Sequence, residues 1–287
     1  MRVLVTGGAG QLGRDLAAVL GDAAVALSHA QLDVTDAAAV AAAIEAHRPD
    51  AIVNAAAWTD VDGCEAEPER AHRENAVGAR NVAEAAGDAL VVQVSTDYVF
   101  DGRSDRPYTE SDPTNPLSAY GRTKLEGERA VADRARRWTV VRTAWLYGAG
   151  TTNFVAAILR AARTRDRLSV VDDQAGSPTS TPDLARALVS LIEGDATGVL
   201  HGVNAGVCSR FAFAQAAFRA AGLDPARIEP VPTSAMPRPA ERPAYAPLDG
   251  VAWRAAGLPA LRPWEEALAD AVPGVMRALD AESGAAR

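Results

Sequence analysis

Cysteine is scarce: Cys64 and Cys208 are the only two in 287 residues, with no Cys-x-x-Cys pair. Neither a disulfide framework nor a thiolate zinc site is therefore expected, and two reduced thiols are the simpler reading. No stretch approaches the roughly 20 consecutive apolar residues of a membrane span. The apolar core between Met1 and Gly7 is too short for a signal peptide, so a cytoplasmic location without a membrane partner is expected. Dense runs of Lys and Arg are missing and the net charge is -8, which argues against nucleic acid as a partner. An anionic ligand must then be held by local devices such as helix N-termini. Apolar residues, by contrast, make up 48% of the chain, enough for one large or two modest cores.

Val3 to Thr6 reads as a short buried strand, followed by Gly7-Gly8-Ala9-Gly10-Gln11-Leu12-Gly13 and a helical stretch to Leu20. The spacing Gly-x-x-Gly-x-x-Gly between a first strand and a first helix suits a nucleotide. Gly7 permits the sharp exit from the strand, Gly10 the approach of a pyrophosphate, and Gly13 close packing of helix on strand. Val25 to Leu27 is a second strand, with Ser28 and His29 where an acidic residue often holds the adenine ribose of NAD. That absence favours NADPH over NADH, with Arg14 or His29 as candidate partners of the extra phosphate. Asp33 and Val34 open the next connection, where a carboxylate can meet the adenine amino group.

Asp36 caps an Ala-rich helix reaching His47. Ala51 to Asn54 is a third strand, running into Ala55-Ala56-Ala57-Trp58-Thr59-Asp60-Val61-Asp62, small residues against which a flat cofactor can lie. Pro68 to Ala86 reads as one long helix carrying Asn75, a buried amide with structural partners. Leu90 to Val94 is a fourth strand that delivers Ser95, Thr96 and Asp97 to the same edge. Strands alternating with helical crossovers imply a right-handed, doubly wound parallel α/β sheet. Phe100 to Leu117 has the composition of a surface loop, and Ser118 caps a helix carrying Tyr120 and Lys124 one turn apart. Trp138 to Arg142 is a fifth strand with Trp145 just beyond it as pocket wall.

Further helices are expected over 153–162, from Thr181, over 209–221, and from Trp264 with a break near Pro273; strands are expected at 168–171 and 199–203. Recurring prolines between Asp224 and Pro247 leave extended segments and turns.

The strand ends and the Tyr120/Lys124 pair hold what hydride transfer to a ketone needs. Tyr120 serves as general acid on the carbonyl oxygen, Thr96 positions that oxygen, and Lys124 binds the nicotinamide ribose and lowers the phenol's pKa. These motifs, from Gly7 to Gly13, Asn54 to Asp62, Ser95 to Phe100, Tyr120 to Lys124 and Asp172 to Thr179, resemble the extended short-chain dehydrogenase/reductases. Among these the likeness is to the dTDP-4-dehydrorhamnose reductase family, over nearly the whole chain.

The resemblance implies a Rossmann-type NAD(P)-binding domain over 1–165, to which some later segments return. A smaller C-terminal α/β region, 166–287, mainly binds the sugar nucleotide. It makes Thr96, Tyr120 and Lys124 catalytic. Gly7, Gly10, Gln11, Leu12, Gly13, Asp33, Val34, Ala57, Trp58, Thr59, Tyr120 and Lys124 fall at the cofactor, and Thr96, Asp97, Trp145 and Arg242 at the substrate. The implied reaction is reduction of the 4-keto group of a dTDP-4-keto-6-deoxyhexose by NADPH, in a monomer or homodimer. The alternatives are a ketoreductase of another dTDP-4-keto-deoxysugar and a non-catalytic nucleotide-binding regulatory subunit. Some members bind magnesium through glutamates at a dimer interface; Asp15 and Pro182 stand at those positions here, so no metal is assigned. Ser209-Arg210 replaces a Ser-Trp frequent in the family.

Overall fold

The structure is a computed structural model describing residues 1–285. Five strands, β1 (Val3–Thr6), β2 (Ala24–Leu27), β3 (Ala51–Asn54), β4 (Leu90–Thr96) and β5 (Arg137–Thr143), join a sixth, Gly198–His201, in one parallel sheet. Its order is Gly198–His201, β5, β4, β3, β1, β2. The order reverses at β1, so the carboxyl ends of β1 and β3 flank the crevice where such sheets bind ligands.

Unbroken apolar runs such as Val3-Leu4-Val5 and Leu90-Val91-Val92 reflect burial on both faces. Val3, Val5 and Val92 face one side, under helices Gln11–Leu20 and Thr181–Glu193 through Leu12, Leu16, Leu184 and Leu188. Leu4, Ile52 and Val91 face the other, under helices Ala37–His47, Gly78–Ala85 and Ala119–Arg134 through Val40, Ile44, Val82 and Val131. Each fully buried Leu or Val contributes about 1.5–3 kcal/mol by leaving water.

Asp36 caps its helix as expected, its carboxylate accepting from the amides of Ala38 and Ala39. The expected helix from Pro68 to Ala86 is not uniform: a π-turn over Arg73–Val77 joins Pro68–His72 to Gly78–Ala85. The wider turn surrounds Asn75, whose side chain leaves the helix to serve a neighbouring loop. The last helix, Trp264–Ala285, runs through Pro273 without the expected break. The carbonyl that Pro273 cannot engage belongs to Ala269, an exposed residue where an unpaired carbonyl costs little. The frayed end expected beyond it includes residues 286 and 287, which lie outside the described residues.

A second core gathers Tyr147, from the short strand Leu146–Tyr147, with Leu159, Phe213, Phe218, Trp264 and Leu268 from helices Phe154–Ala161, Arg210–Ala220 and Trp264–Ala285. Leu168–Val171 pairs there in parallel with Ile228–Val231, which accommodates Pro230 because the sheet has only two strands. Past residue 165 the chain returns to the central sheet: Thr181–Glu193 covers one face, and Gly198–His201 pairs with β5. No helix among the described residues is long and apolar enough to cross a membrane.

Candidate active site

The first turn after β1 is a phosphate-sized cradle because side chains are absent from it. Gly7 has φ 67°, a left-handed value, and a Cβ there would lie 2.9 Å from the Ala55 backbone. A Cβ on Gly13 would collide with the Gly7 carbonyl oxygen. Gly10 occupies the N-cap of helix Gln11–Leu20, and no side chain caps that helix. Its first amides therefore lack intrahelical partners, and Gly10, Gln11, Leu12 and Gly13 all line a cleft of about 490 Å³ at the sheet's carboxyl edge. Unsatisfied N–H groups at a helix start, free of side-chain bulk, fit a pyrophosphate.

Ala57 and Thr59 line the next part of the cleft. Their loop is tied down from behind: Asn75 Oδ1 accepts from the Trp58 amide at 2.8 Å, and Asn75 Nδ2 donates to the Trp58 carbonyl at 3.1 Å and to Thr123 Oγ1 at 3.3 Å. Thr96, Asp97, Tyr120, Lys124 and Trp145 complete the same wall. Thr96 ends β4, with its hydroxyl donating to Asp97 Oδ1 at 3.0 Å and accepting from the Tyr98 amide at 3.2 Å. Ser118 caps helix Ala119–Arg134 through the Gly121 amide, and Glu65 accepts from the Ala119 amide at 2.7 Å, so the first turn carrying Tyr120 is held from two sides.

The electrostatics differ from the expectation that Lys124 acidifies Tyr120. Burial pushes the Tyr120 phenol well above its ordinary value, opposed by a hydrogen bond with Thr96. Lys124 is itself buried and pulled down to about 8, and its ammonium donates to the Val94 carbonyl at 2.6 Å. Desolvation dominates here, and the phenol keeps its proton. Burial likewise pushes the Asp97 carboxyl up to about 6, against the Thr96 hydrogen bond and the nearby Arg210 charge.

Four residues expected at ligands lie outside this wall. Asp33 is exposed, and hydrogen bonds from the Thr35 amide and hydroxyl hold its carboxyl below the usual range. Val34 is buried against Gly78. Trp58 lies under the Arg70 guanidinium, 4.1 Å from its ring centroid. Arg242 grips Asp62 through two bonds of 2.6 and 2.8 Å and lines a second cavity of about 440 Å³.

That second cavity shares Tyr98 and Arg210 with the cleft. By sequence Arg210 is only a departure from the family pattern, and Tyr98 carries no assignment. The signal available was their position, directly after a strand-end triplet and directly after a helix cap.

Ser28, at the end of β2, is occupied with Gln31, whose Oε1 accepts from its amide and hydroxyl at 3.0 and 2.8 Å. Asp15 and Pro182 both lie within 4 Å of the Cβ position of Gly148, which puts one carboxylate where two would be needed to mirror a pair of glutamates. Among the described residues no cluster of three His, Cys, Asp or Glu side chains could hold a metal ion.

A dTDP-4-dehydrorhamnose reductase of Streptomyces griseus is 47% identical over 285 residues, covering 96% of this chain and 94% of the relative. A dTDP-4-keto-6-deoxy-D-glucose reductase of Streptomyces niveus is 46% identical over 278 residues, covering 95% and 96%. The solved dTDP-4-dehydrorhamnose reductase of Bacillus anthracis, in complex with NADP, superposes with a TM-score of 0.91 at 37% identity, covering 94% of this chain and 98% of that one. The family model described as RmlD substrate binding domain matches residues 1–276, and the chain belongs to that family.

Proposed function

We propose that this chain reduces the 4-keto group of dTDP-4-dehydro-6-deoxy-L-mannose, also called dTDP-4-dehydrorhamnose, to dTDP-L-rhamnose with NADPH. The observation that carries the reading is a buried phenol, Tyr120, kept protonated beside Thr96 in the wall of a cleft that begins at an uncapped, glycine-framed helix start. The relatives of similar length that carry reductase names support it.

Gly7, Gly10, Gln11, Leu12 and Gly13 would hold the pyrophosphate of the nicotinamide cofactor, with Ala57, Thr59 and Lys124 further along the cleft. The cofactor supplies the hydride. As charge develops on the carbonyl oxygen, Tyr120 delivers its proton there and Thr96 fixes the oxygen by a second hydrogen bond. A high phenol pKa keeps the acid loaded across the neutral range. Lys124, anchored on Val94, keeps a cation beside the strand end. Ser28 offers no carboxylate to a ribose, which favours NADPH over NADH. Residues 1–165, with 181–201 returned to them, form the cofactor half, and most of the remaining chain forms the sugar-nucleotide half. With one carboxylate at the Asp15 position, activity is expected to survive chelation of divalent metal, measured in EDTA. Monomer and homodimer are separable by sedimentation.

The deciding assay supplies the freshly made dTDP-ketosugar, follows oxidation of NADPH and NADH, and assigns product stereochemistry by NMR. Tyr120→Phe should stay folded and lose about 10²–10³-fold in kcat, the range seen when one oxyanion donor is removed. No turnover with any dTDP-ketosugar, despite nucleotide binding, would leave the non-catalytic reading. A product other than the L-rhamnose isomer would favour the activity named for the Streptomyces niveus relative.

A further inference from the structure

The two cavities adjoin, and among the described residues only Tyr98 and Arg210 line both. The cleft holds the reacting phenol; the second cavity is apolar along Ile158, Val170 and Met236. A sugar nucleotide reduced at Tyr120 has its sugar in the cleft. Its nucleoside then needs the adjoining space, so its diphosphate crosses the junction.

Arg210 is built for that crossing. Its guanidinium lies 3.6 Å from the ring centroid of Trp145, a wall of the cleft, and 5.1 Å from that of Phe154, a wall of the other cavity. The two ring contacts hold the guanidinium at the junction of the cavities. Arg242 and Arg238, in the same cavity, are both drawn to Asp62. Arg210 forms no ion pair within 4 Å among the described residues and feels the Asp97 carboxylate only at longer range. Burial works against its charge, a cost that an arriving dianion would offset.

Resting on the reductase reading above, we propose that Arg210 is the diphosphate-binding residue of this chain, holding the two phosphates between the catalytic cleft and the nucleoside cavity. The test measures calorimetric binding of thymidine diphosphate, thymidine monophosphate and thymidine to the full chain, with Arg210→Met and Arg210→Lys beside the wild type. Loss of one charge-assisted pair should weaken the diphosphate about ten- to hundredfold in Arg210→Met and change thymidine less than about twofold. Arg210→Lys, which keeps the charge without the fork, should fall between them and guards against a Met variant that fails to fold. Unchanged diphosphate affinity in folded variants overturns the inference, as does equal weakening of thymidine, which would make Arg210 a wall and not an anion site. A wild type that turns over the ketosugar while the variants bind thymidine diphosphate normally sinks this inference alone. A wild type that binds thymidine diphosphate through Arg210 without any turnover sinks the reductase reading and leaves the anion site standing.

Discussion

Replacing Lys124 with Met separates what the lysine does for the fold from what it does for the site. Its pKa falls from 10.5 to about 8, driven first by burial and opposed by the Glu128 charge. At about 1.4 kcal/mol for each tenfold change in proton affinity, a charged ammonium at neutral pH costs the folded state about 3 kcal/mol. Against this stands its hydrogen bond to the Val94 carbonyl, about 1.5–3 kcal/mol for a charged donor. That carbonyl also accepts from Gln93 Nε2 at 3.0 Å, so it stays satisfied in the variant.

The balance leaves Lys124→Met equal to the wild type or up to about 2 kcal/mol more stable at pH 7, while turnover collapses. Between about pH 8 and 10.5 the unfolded lysine is protonated and the folded one is not. The unfolded state then binds more protons, so wild-type stability gains a term that rises with pH through that window and is missing in the variant. Cys64 and Cys208 act oppositely: burial pushes both thiols up to about 12, so the unfolded chain loses those protons first. Both cysteines are present in each protein and cancel in the comparison. Urea midpoints at pH 7 and 9.5 should show the stability difference moving toward the wild type by about 2 kcal/mol. A difference that does not change with pH, or a variant more than about 2 kcal/mol less stable at pH 7, would refute the assignment of a buried, costly ammonium.

Asn75→Ala removes both bonds to the Trp58 backbone and one to Thr123, and should cost about 2–4 kcal/mol of stability by urea denaturation, leaving buried polar groups unpaired. Because that loop carries Ala57 and Thr59, the KM for the nicotinamide cofactor should rise more than kcat falls. Gly176→Ala places a Cβ 2.5 Å from Cε2 of Trp145, an overlap worth about 1–3 kcal/mol of strain. The indole should shift, raising KM for the sugar nucleotide while leaving that for the cofactor near its wild-type value; equal kinetics for both ligands would show that Trp145 is not part of the substrate wall.

Local signals were legible where one element supplies its own reasons. Asp36 stands directly before a turn's worth of alanines and caps it; Ala51 to Asn54 is apolar between Pro49 and a small-residue loop and is a strand. The glycine turn announced itself by spacing, and Tyr120 and Lys124 by a helical repeat. What stayed hidden depends on partners far away in sequence. Trp58 faces Arg70 because Asn75, in a π-turn, holds both its backbone groups, and no periodicity in Ala55 to Thr59 encodes that. The phenol's pKa followed burial from several directions, not the lysine four residues on. Arg210 lines the cleft wall, where Trp145 and Phe154 meet it from another part of the chain.

The return of residues 181–201 to the central sheet bears on how the chain is made and cut. A fragment ending at residue 165 would lack Gly198–His201 along β5 and the leucines at 184 and 188 over Leu12 and Leu16. It would expose an edge strand and an apolar helix face together, the combination that drives sheet-to-sheet aggregation. On a ribosome the central sheet therefore waits for residue 201 before it is complete, and a gene fusion that exchanges the later part of the chain must carry this segment with the N-terminal part.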